Sequence, residues 1–394
     1  MTTPTTARLR ALAPLAVALA LVLGLAPAEA RRASQPAARE VERARPALAP
    51  VPFDVQVGRY RRHVELFAGR HVTTVTNANG QRRRVRFTDR YVASPRHQLA
   101  EAANWLEAHY RARGLSVERQ RIRYEGQVLE NVIVTFPGDS KEAVLLCDHY
   151  DTADKEQIRK YTLPQLTRDY GLTRRQIARH LGKLELGQAV PGADDNASAT
   201  AALLEMGELL SACRTNGVRL KKTVKLVHLV GEEMPADCLG ARAYVKRAVA
   251  RREKIAGVFV MDMIGVDREG RKKLQLCPGR SAASRELAGR IERKVGELGL
   301  DLRPVVRTYG AQTSYLDQTD GIIFSKAGIP VVLLNEHVNY RHDRFRVGYH
   351  DEFDIPELMS FDYAANVTRA ALSAALDLAG PYRPAASARR RLRQ

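Results

Sequence analysis

The chain has 394 residues, of which 45% are hydrophobic, and its formal net charge is +19. The apolar content excludes a disordered polymer, and the length suits one large α/β domain or two small ones. The positive excess favours acidic partners such as nucleic acid, anionic lipid or acidic glycans.

Arg8 and Arg10 precede an apolar run from Ala11 to Ala26, and an Ala28-Glu29-Ala30 site follows. Residues 1–30 therefore read as a signal peptide, its run too short and too Ala-rich for a membrane span, and predict export to the periplasm or the exterior. Residues 31–52, rich in Ala, Pro and Arg, read as a linker, and a folded domain is predicted over 53–381. An Arg-rich stretch from Arg82 to Arg90 reads as peripheral. Ser94-Pro95 predicts a helix start, with Leu99, Ala102, Ala103, Leu106 and Tyr110 at helical spacing until Gly114.

Strands follow at Ser116–Tyr124, Leu129–Phe136 and Ala143–Cys147, then a helix over Ala197–Cys213 and a strand over Val224–Val230. A helix at Leu239–Ala250, a strand at Val258–Asp262, a helix at Ser284–Leu298, a strand at Pro330–Asn335 and a closing helix over Pro356–Leu378 complete the series. This alternation predicts an α/β fold, a largely parallel central sheet with helices on both faces.

Residues 152–190 read as an insertion carrying an amphipathic helix over Tyr170–Gly182, with Ile177, Ala178 and Leu181 on its apolar face. Its outline resembles the recognition half of a helix-turn-helix, but a signal peptide and the lack of a partner motif favour a lid or rim over specific nucleic-acid binding. Residues 382–394 form a basic tail. Cys147, Cys213, Cys238 and Cys277 allow three full pairings, no spacing favours one, and Cys147 reads as a buried free thiol.

Acidic and imidazole residues gather at the downstream edges of these segments. His149 and Asp151 follow the strand ending at Cys147, Asp195 precedes a helix, Glu232-Glu233 follow Val230, Asp262 closes a strand, and Tyr349-His350 lie near the C-terminus. In open α/β sheets such strand ends are where functional loops collect. His149, Asp195, Glu233, Asp262 and His350 suit a pair of zinc ions, which accept imidazole nitrogen and carboxylate oxygen. Asp195, just before a helix N-terminus, is placed to bridge two ions, and Glu232 is left free to take a proton from bound water. Asp151 suits a carboxylate that orients His149.

The ordered segments His-Tyr-Asp (149–151), Gly-Ala-Asp-Asp-Asn-Ala-Ser (192–198), Gly-Glu-Glu (231–233), Met-Asp-Met-Ile-Gly (261–265) and Tyr-His (349–350), with Asp354 beyond, resemble the co-catalytic di-zinc exopeptidase family. That family holds secreted bacterial aminopeptidases, glutamate carboxypeptidase and, divergently, glutaminyl cyclase. The resemblance covers about residues 85–380. It implies a mixed sheet with helices on both sides and two Zn2+ per chain, with His149 and Asp262 on one, Glu233 and His350 on the other, and Asp195 between them. It further implies Glu232 as general base and acid, Asp151 behind His149, Tyr349 as a hydrogen-bond donor to the tetrahedral intermediate, and a cis peptide bond after Asp195. Two departures stand out: Thr319-Asp320-Gly321 lacks the histidine usual after this aspartate, and Met234-Pro235 replaces a Gly-rich continuation.

The function read from these residues is an exported zinc exopeptidase, an aminopeptidase by preference, that hydrolyses a terminal peptide bond through a metal-bound hydroxide. Carboxypeptidase or glutaminyl cyclase activity is the alternative within the chemistry, and a catalytically silent polyanion-binding envelope protein the alternative outside it. Glu232, Asp262 and Asp320 are candidates to attract an α-ammonium, whereas Arg174, Arg175 and Arg179 are candidates to clamp an α-carboxylate. The partner is thus a peptide substrate, with non-specific contact to envelope polyanions suited to the basic surface. The sequence assigns no oligomeric state.

Overall fold

The computed structural model describes residues 54–77, 79–156, 162–267, 270–336 and 347–382. The predicted signal peptide, the linker and residues 383–394 of the tail lie outside the described residues. Helix α1 (Val57–Phe67) opens the fold, followed by a hairpin of β1 (Thr73–Thr76) and β2 (Arg82–Val85) and by α2 (Leu99–Arg111). Helix α2 starts later than Ser94-Pro95 predicts. Ser94 Oγ donates instead to the Asp89 carboxylate, and the Gln98 side chain accepts from the Thr88 and Asp89 backbone, so residues 91–97 are spent on turns.

The sheet is entered through β3 (Ser116–Tyr124), β4 (Gln127–Phe136) and β5 (Ser140–His149). After β5 come the short helices α3 (Leu163–Tyr170) and α4 (Arg174–His180), then α5 (Ala197–Thr215), β6 (Arg219–Leu220) and β7 (Lys222–Leu229). The second half runs α6 (Leu239–Ala250), β8 (Ile255–Met261), β9 (Lys273–Pro278), α7 (Ala282–Glu297), β10 (Arg303–Val306), α8 (Gly321–Lys326), β11 (Val331–Glu336), α9 (Phe361–Ala379) and β12 (Pro381–Tyr382). The predicted closing helix is divided: Pro356–Leu358 forms a single 3-10 turn, and α9 begins at Phe361.

Eight strands form one sheet in the order β10-β9-β11-β8-β5-β7-β4-β3. The β11-β8-β5-β7 centre is parallel, whereas β9 runs antiparallel to β11 and β4 antiparallel to both β7 and β3. Central parallel strands are covered on both faces and so carry nearly continuous apolar runs. In β5, Val144 and Leu146 join the core packed by α5, α7 and α9, while Leu145 and Cys147 join the core packed by α6 and α8. A buried Leu or Val contributes about 1.5–3 kcal/mol, so this double-sided packing fixes where β5 ends and His149 emerges. Because β7 and β8 flank β5 on opposite sides, the chain reverses direction of travel across the sheet there, opening a crevice at the carboxyl ends of the three strands.

Within 152–190 the one predicted helix is two. Gly171, in the left-handed region at φ 67°, ends α3, and Thr173 with Gln176 forms a capping box that starts α4. Leu166, Leu172 and Ile177 pack against Val347, Phe353 and Ile355, while Ala178, expected on the apolar face, is exposed. All four cysteines are buried free thiols. No described helix is long and apolar enough to cross a membrane.

Candidate metal centre

His149 ends β5, Glu232 and Glu233 follow β7, Asp262 follows β8, and Asp195 lies in the loop before α5. His350 comes from the loop before α9, its backbone in the left-handed region at φ 47°. That conformation costs a non-glycine residue about 1–3 kcal/mol and is held by surrounding contacts. Nε2 of His149 stands 3.3 Å from Oδ1 of Asp195 and 3.6 Å from Oδ1 of Asp262. Nε2 of His350 stands 3.4 Å from Oδ2 of Asp195 and 3.5 Å from Oε2 of Glu233. Donors bound tetrahedrally at zinc's bond lengths lie about 3.3–3.6 Å apart, so each group is spaced for one ion, and the two oxygens of Asp195 face one group each.

Electrostatics point the same way. His149 Nε2, Glu233 Oε1 and Asp262 Oδ1 are buried without a hydrogen-bond partner. Burial drives the carboxyls of Glu232 and Asp262 up, and that of Glu233 to about 8, with neighbouring carboxylates adding to each. Burial opposes the charge on His149 as well, but Glu232, Asp151, Asp195 and Asp262 outweigh it and raise its pKa well above the usual range. Asp195 is held below the carboxylate range, since His149 and His350 overcome its burial. His149, Asp195 and Asp262 form one group of donors that could hold a metal ion, and Asp195, Glu233 and His350 another.

Asp151 is fully buried, with Oδ1 3.7 Å from His149 Nδ1, and its carboxylate accepts the backbone N–H groups of Gly231, Glu232 and Glu233. It therefore ties the end of β5 to the Glu-Glu loop. Glu232 Oε2 lies 3.9 Å from His149 Nε2. The Tyr349 ring stacks on His350 with centroids 4.0 Å apart. The peptide bond between Asp195 and Asn196 is cis, and the Asn196 side chain bonds the Met261 carbonyl and the Met263 N–H, fixing the Asp195 loop to the end of β8.

The sequence reading named Asp354 without a role and did not find the other supporting residues. Asp354 accepts the N–H groups of Asp194 and Asp195 at 2.7 and 3.1 Å. Arg90, predicted as part of a peripheral basic stretch, is buried: its guanidinium donates to the carbonyls of Tyr150, Pro191 and Gly192, stapling the His149 loop to the Asp195 loop. Burial lowers its pKa to about 10. Gly192 sits where a Cβ would lie 2.2 Å from the Thr152 side chain, so no other residue fits that crossing. Under β5, Asp148 lies 2.8 Å from His228, which meets the Tyr110 hydroxyl at 2.8 Å, and Thr200 donates to Asp148 at 2.6 Å. The available signal was Asp148, a charged residue directly after the apolar run Ala143–Cys147.

A cavity of about 350 Å³ opens over the centre. Asp195, Glu232, Glu233, Asp262, Tyr349 and His350 line it, with an apolar wall from Met234, Tyr315, Ile322 and Ile323 and further charged groups from Glu156, Asp237, Asp317, Arg242 and Lys326. Asp320 does not line it. Its carboxylate is buried without a partner, and burial pushes it to about 8, so the expectation that it attracts an α-ammonium is corrected. Arg174, Arg175 and Arg179 are also absent from the lining, and Arg179 borders a separate surface groove with Arg61 and Arg70.

Residues 131–375 match peptidase family M28. The chain belongs to this family. Over 194 residues it is 25% identical to a probable leucine aminopeptidase of Trichophyton verrucosum (strain HKI 0517), an alignment covering 47% of this chain and 42% of that protein. The chain thus spans less than half the length of this curated relative. The M28 chain superposes on the LapA aminopeptidase of Legionella pneumophila with a TM-score of 0.59 at 13% identity, over 82% of this chain and 71% of that one. A glutaminyl cyclase of Fimbriiglobus ruber gives 0.56 at 18% identity, over 82% and 95%. These structural likenesses carry the fold: a mixed, largely parallel sheet with helices on both faces.

Proposed function

We propose that this M28 chain is an exported zinc-dependent exopeptidase that removes N-terminal residues from peptides. The observation that carries the reading is the division of Asp195, one oxygen toward His149 and Asp262 and the other toward His350 and Glu233, with Glu232 beside them, 3.9 Å from His149 Nε2. His149, Asp262, Asp195, Glu233 and His350 would hold the pair of zinc ions. Such ions, when bound, polarise a peptide carbonyl and lower the proton affinity of water.

The remaining work falls to side chains. Glu232 accepts a proton from the attacking water and returns it to the leaving nitrogen as the C–N bond breaks. Burial raises its proton affinity, which suits that exchange. Asp151 holds the Glu-Glu loop against His149, and Tyr349, facing the cavity, is assigned the hydrogen bond to the developing oxyanion. The N-terminal preference is drawn from the lining, where Glu156, Asp237 and Asp317 add carboxylates, Arg242 is paired with Asp237, Lys326 is the other cation, and no Arg of α4 contributes. An α-ammonium is favoured there over an α-carboxylate. Export rests on the Arg8-to-Ala30 pattern, and the +19 charge suits loose contact with envelope polyanions.

One peptide in free, N-acetylated and C-amidated forms tests the reading. Zinc-dependent release of the N-terminal residue from the free and amidated forms, blocked by acetylation, is expected. Cleavage of the acetylated but not the amidated form would make it a carboxypeptidase, and pyroglutamate from an N-terminal glutamine without chain cleavage would make it a cyclase.

A further inference from the structure

The two imidazoles of the centre are oriented by different parts of the chain. His149 is backed by Asp151, a carboxylate fully buried between β5 and the loop after β7. His350 is backed by Glu156, whose Oε1 stands 2.6 Å from Nδ1. Glu156 belongs to residues 152–190, and its side chain is 45% exposed. The hydrogen bond requires the proton on Nδ1 in the neutral ring, which leaves the Nε2 lone pair aimed at the space between Asp195 and Glu233.

The same segment grips the His350 loop at further points. Lys155 Nζ pairs with Glu352 Oε2 at 2.6 Å, both almost completely buried. The Gly182 N–H donates to the other Glu352 oxygen at 3.1 Å. The apolar faces of α3 and α4 close over Val347, Phe353 and Ile355. A residue in the left-handed region needs such external restraint, because its own backbone preference works against the observed conformation.

We infer that Glu156 is a positioning residue for His350, through which segment 152–190 sets how firmly the ion on the Glu233 and His350 side is retained. This rests on the metal reading of the site. It adds to that reading an inequality: the His149 side is built into the sheet, whereas the His350 side depends on a segment laid over it.

Stepwise zinc titration against a chromophoric chelator tests the inference without reference to peptide cleavage. In the full chain, Glu156→Ala is expected to weaken one of two binding steps by about 10–100-fold and to leave the other within about twofold. Glu156→Gln, whose amide oxygen can accept the same N–H, should recover most of the loss. In a His350→Ala background, Glu156→Ala should have no further effect on the ion that remains. Two steps unchanged in Glu156→Ala, both steps weakened alike, or an undiminished Glu156 effect without His350 would each overturn the inference while leaving the two-ion centre standing. Failure of the wild type to bind zinc at all would overturn the metal reading together with it.

Discussion

The half of the centre around His149 and the half around His350 carry the same types of donor, yet they are fixed in unlike ways. The first half stands at the ends of β5 and β8, with Asp151, Asn196 and Arg90 tying the loops to one another through buried hydrogen bonds. The second joins Glu233, from the same rigid loop, to a histidine held by Glu156 from a surface segment. Matched donor chemistry therefore does not imply matched stability, because buried hydrogen bonds to backbone determine a side chain's position more firmly than one contact to a half-exposed carboxylate.

The largest effect should come from the group that belongs to neither half. Glu232→Gln is expected to lower kcat by about 10²–10⁴-fold with zinc content unchanged, measured by peptide hydrolysis alongside metal analysis. Turnover within about tenfold of wild type would remove Glu232 from the proton-transfer role. Next, Asp195→Ala should strip zinc from both halves, whereas Asp262→Ala should empty mainly the His149 half. Metal analysis of the purified variants decides this, and equal occupancy in the two would break the assignment of Asp195 to both.

Arg90→Met sharpens the comparison from the protein side. It leaves the carbonyls of Tyr150 and Pro191 without their donor, whereas that of Gly192 keeps the Ala197 N–H, and an unsatisfied buried acceptor costs about 1–3 kcal/mol. Denaturant unfolding should show a loss of at least that size, and unaltered stability would show that the core-built half does not depend on this staple. The smallest effect is expected for Tyr110→Phe, which removes one hydrogen bond from His228 while Asp148 remains beside it. A loss of about 1 kcal/mol with little change in kcat is predicted from the same unfolding and activity assays.

The sequence made the centre legible where donors follow apolar strands, since a strand packed on both faces has a sharp end and the next polar residue lies over it. That logic placed His149, Glu232 and Asp262 at the strand ends. It could not reach Glu156, because a glutamate in a polar segment carries no local sign of the histidine it will meet 194 residues later. Arg90 was misread for a related reason: its neighbours Arg82, Arg83, Arg84 and Arg86 are exposed, and only the approach of two distant loops buries it. In the fold, β9 and β10 were missed because Lys273, Gln275 and Arg303 dilute their apolar pattern, and α1 because its arginines obscure the buried Tyr60, Val64 and Phe67. The Ser94-Pro95 signal failed because the Ser94 hydroxyl was taken by Asp89 instead of a helical N–H.

Anomalous diffraction at the zinc edge from zinc-loaded crystals tests the central claim most directly. Two peaks are expected, one among His149, Asp262 and one oxygen of Asp195, the other among His350, Glu233 and the second oxygen of Asp195. A single peak, or two peaks that do not share Asp195, would contradict it.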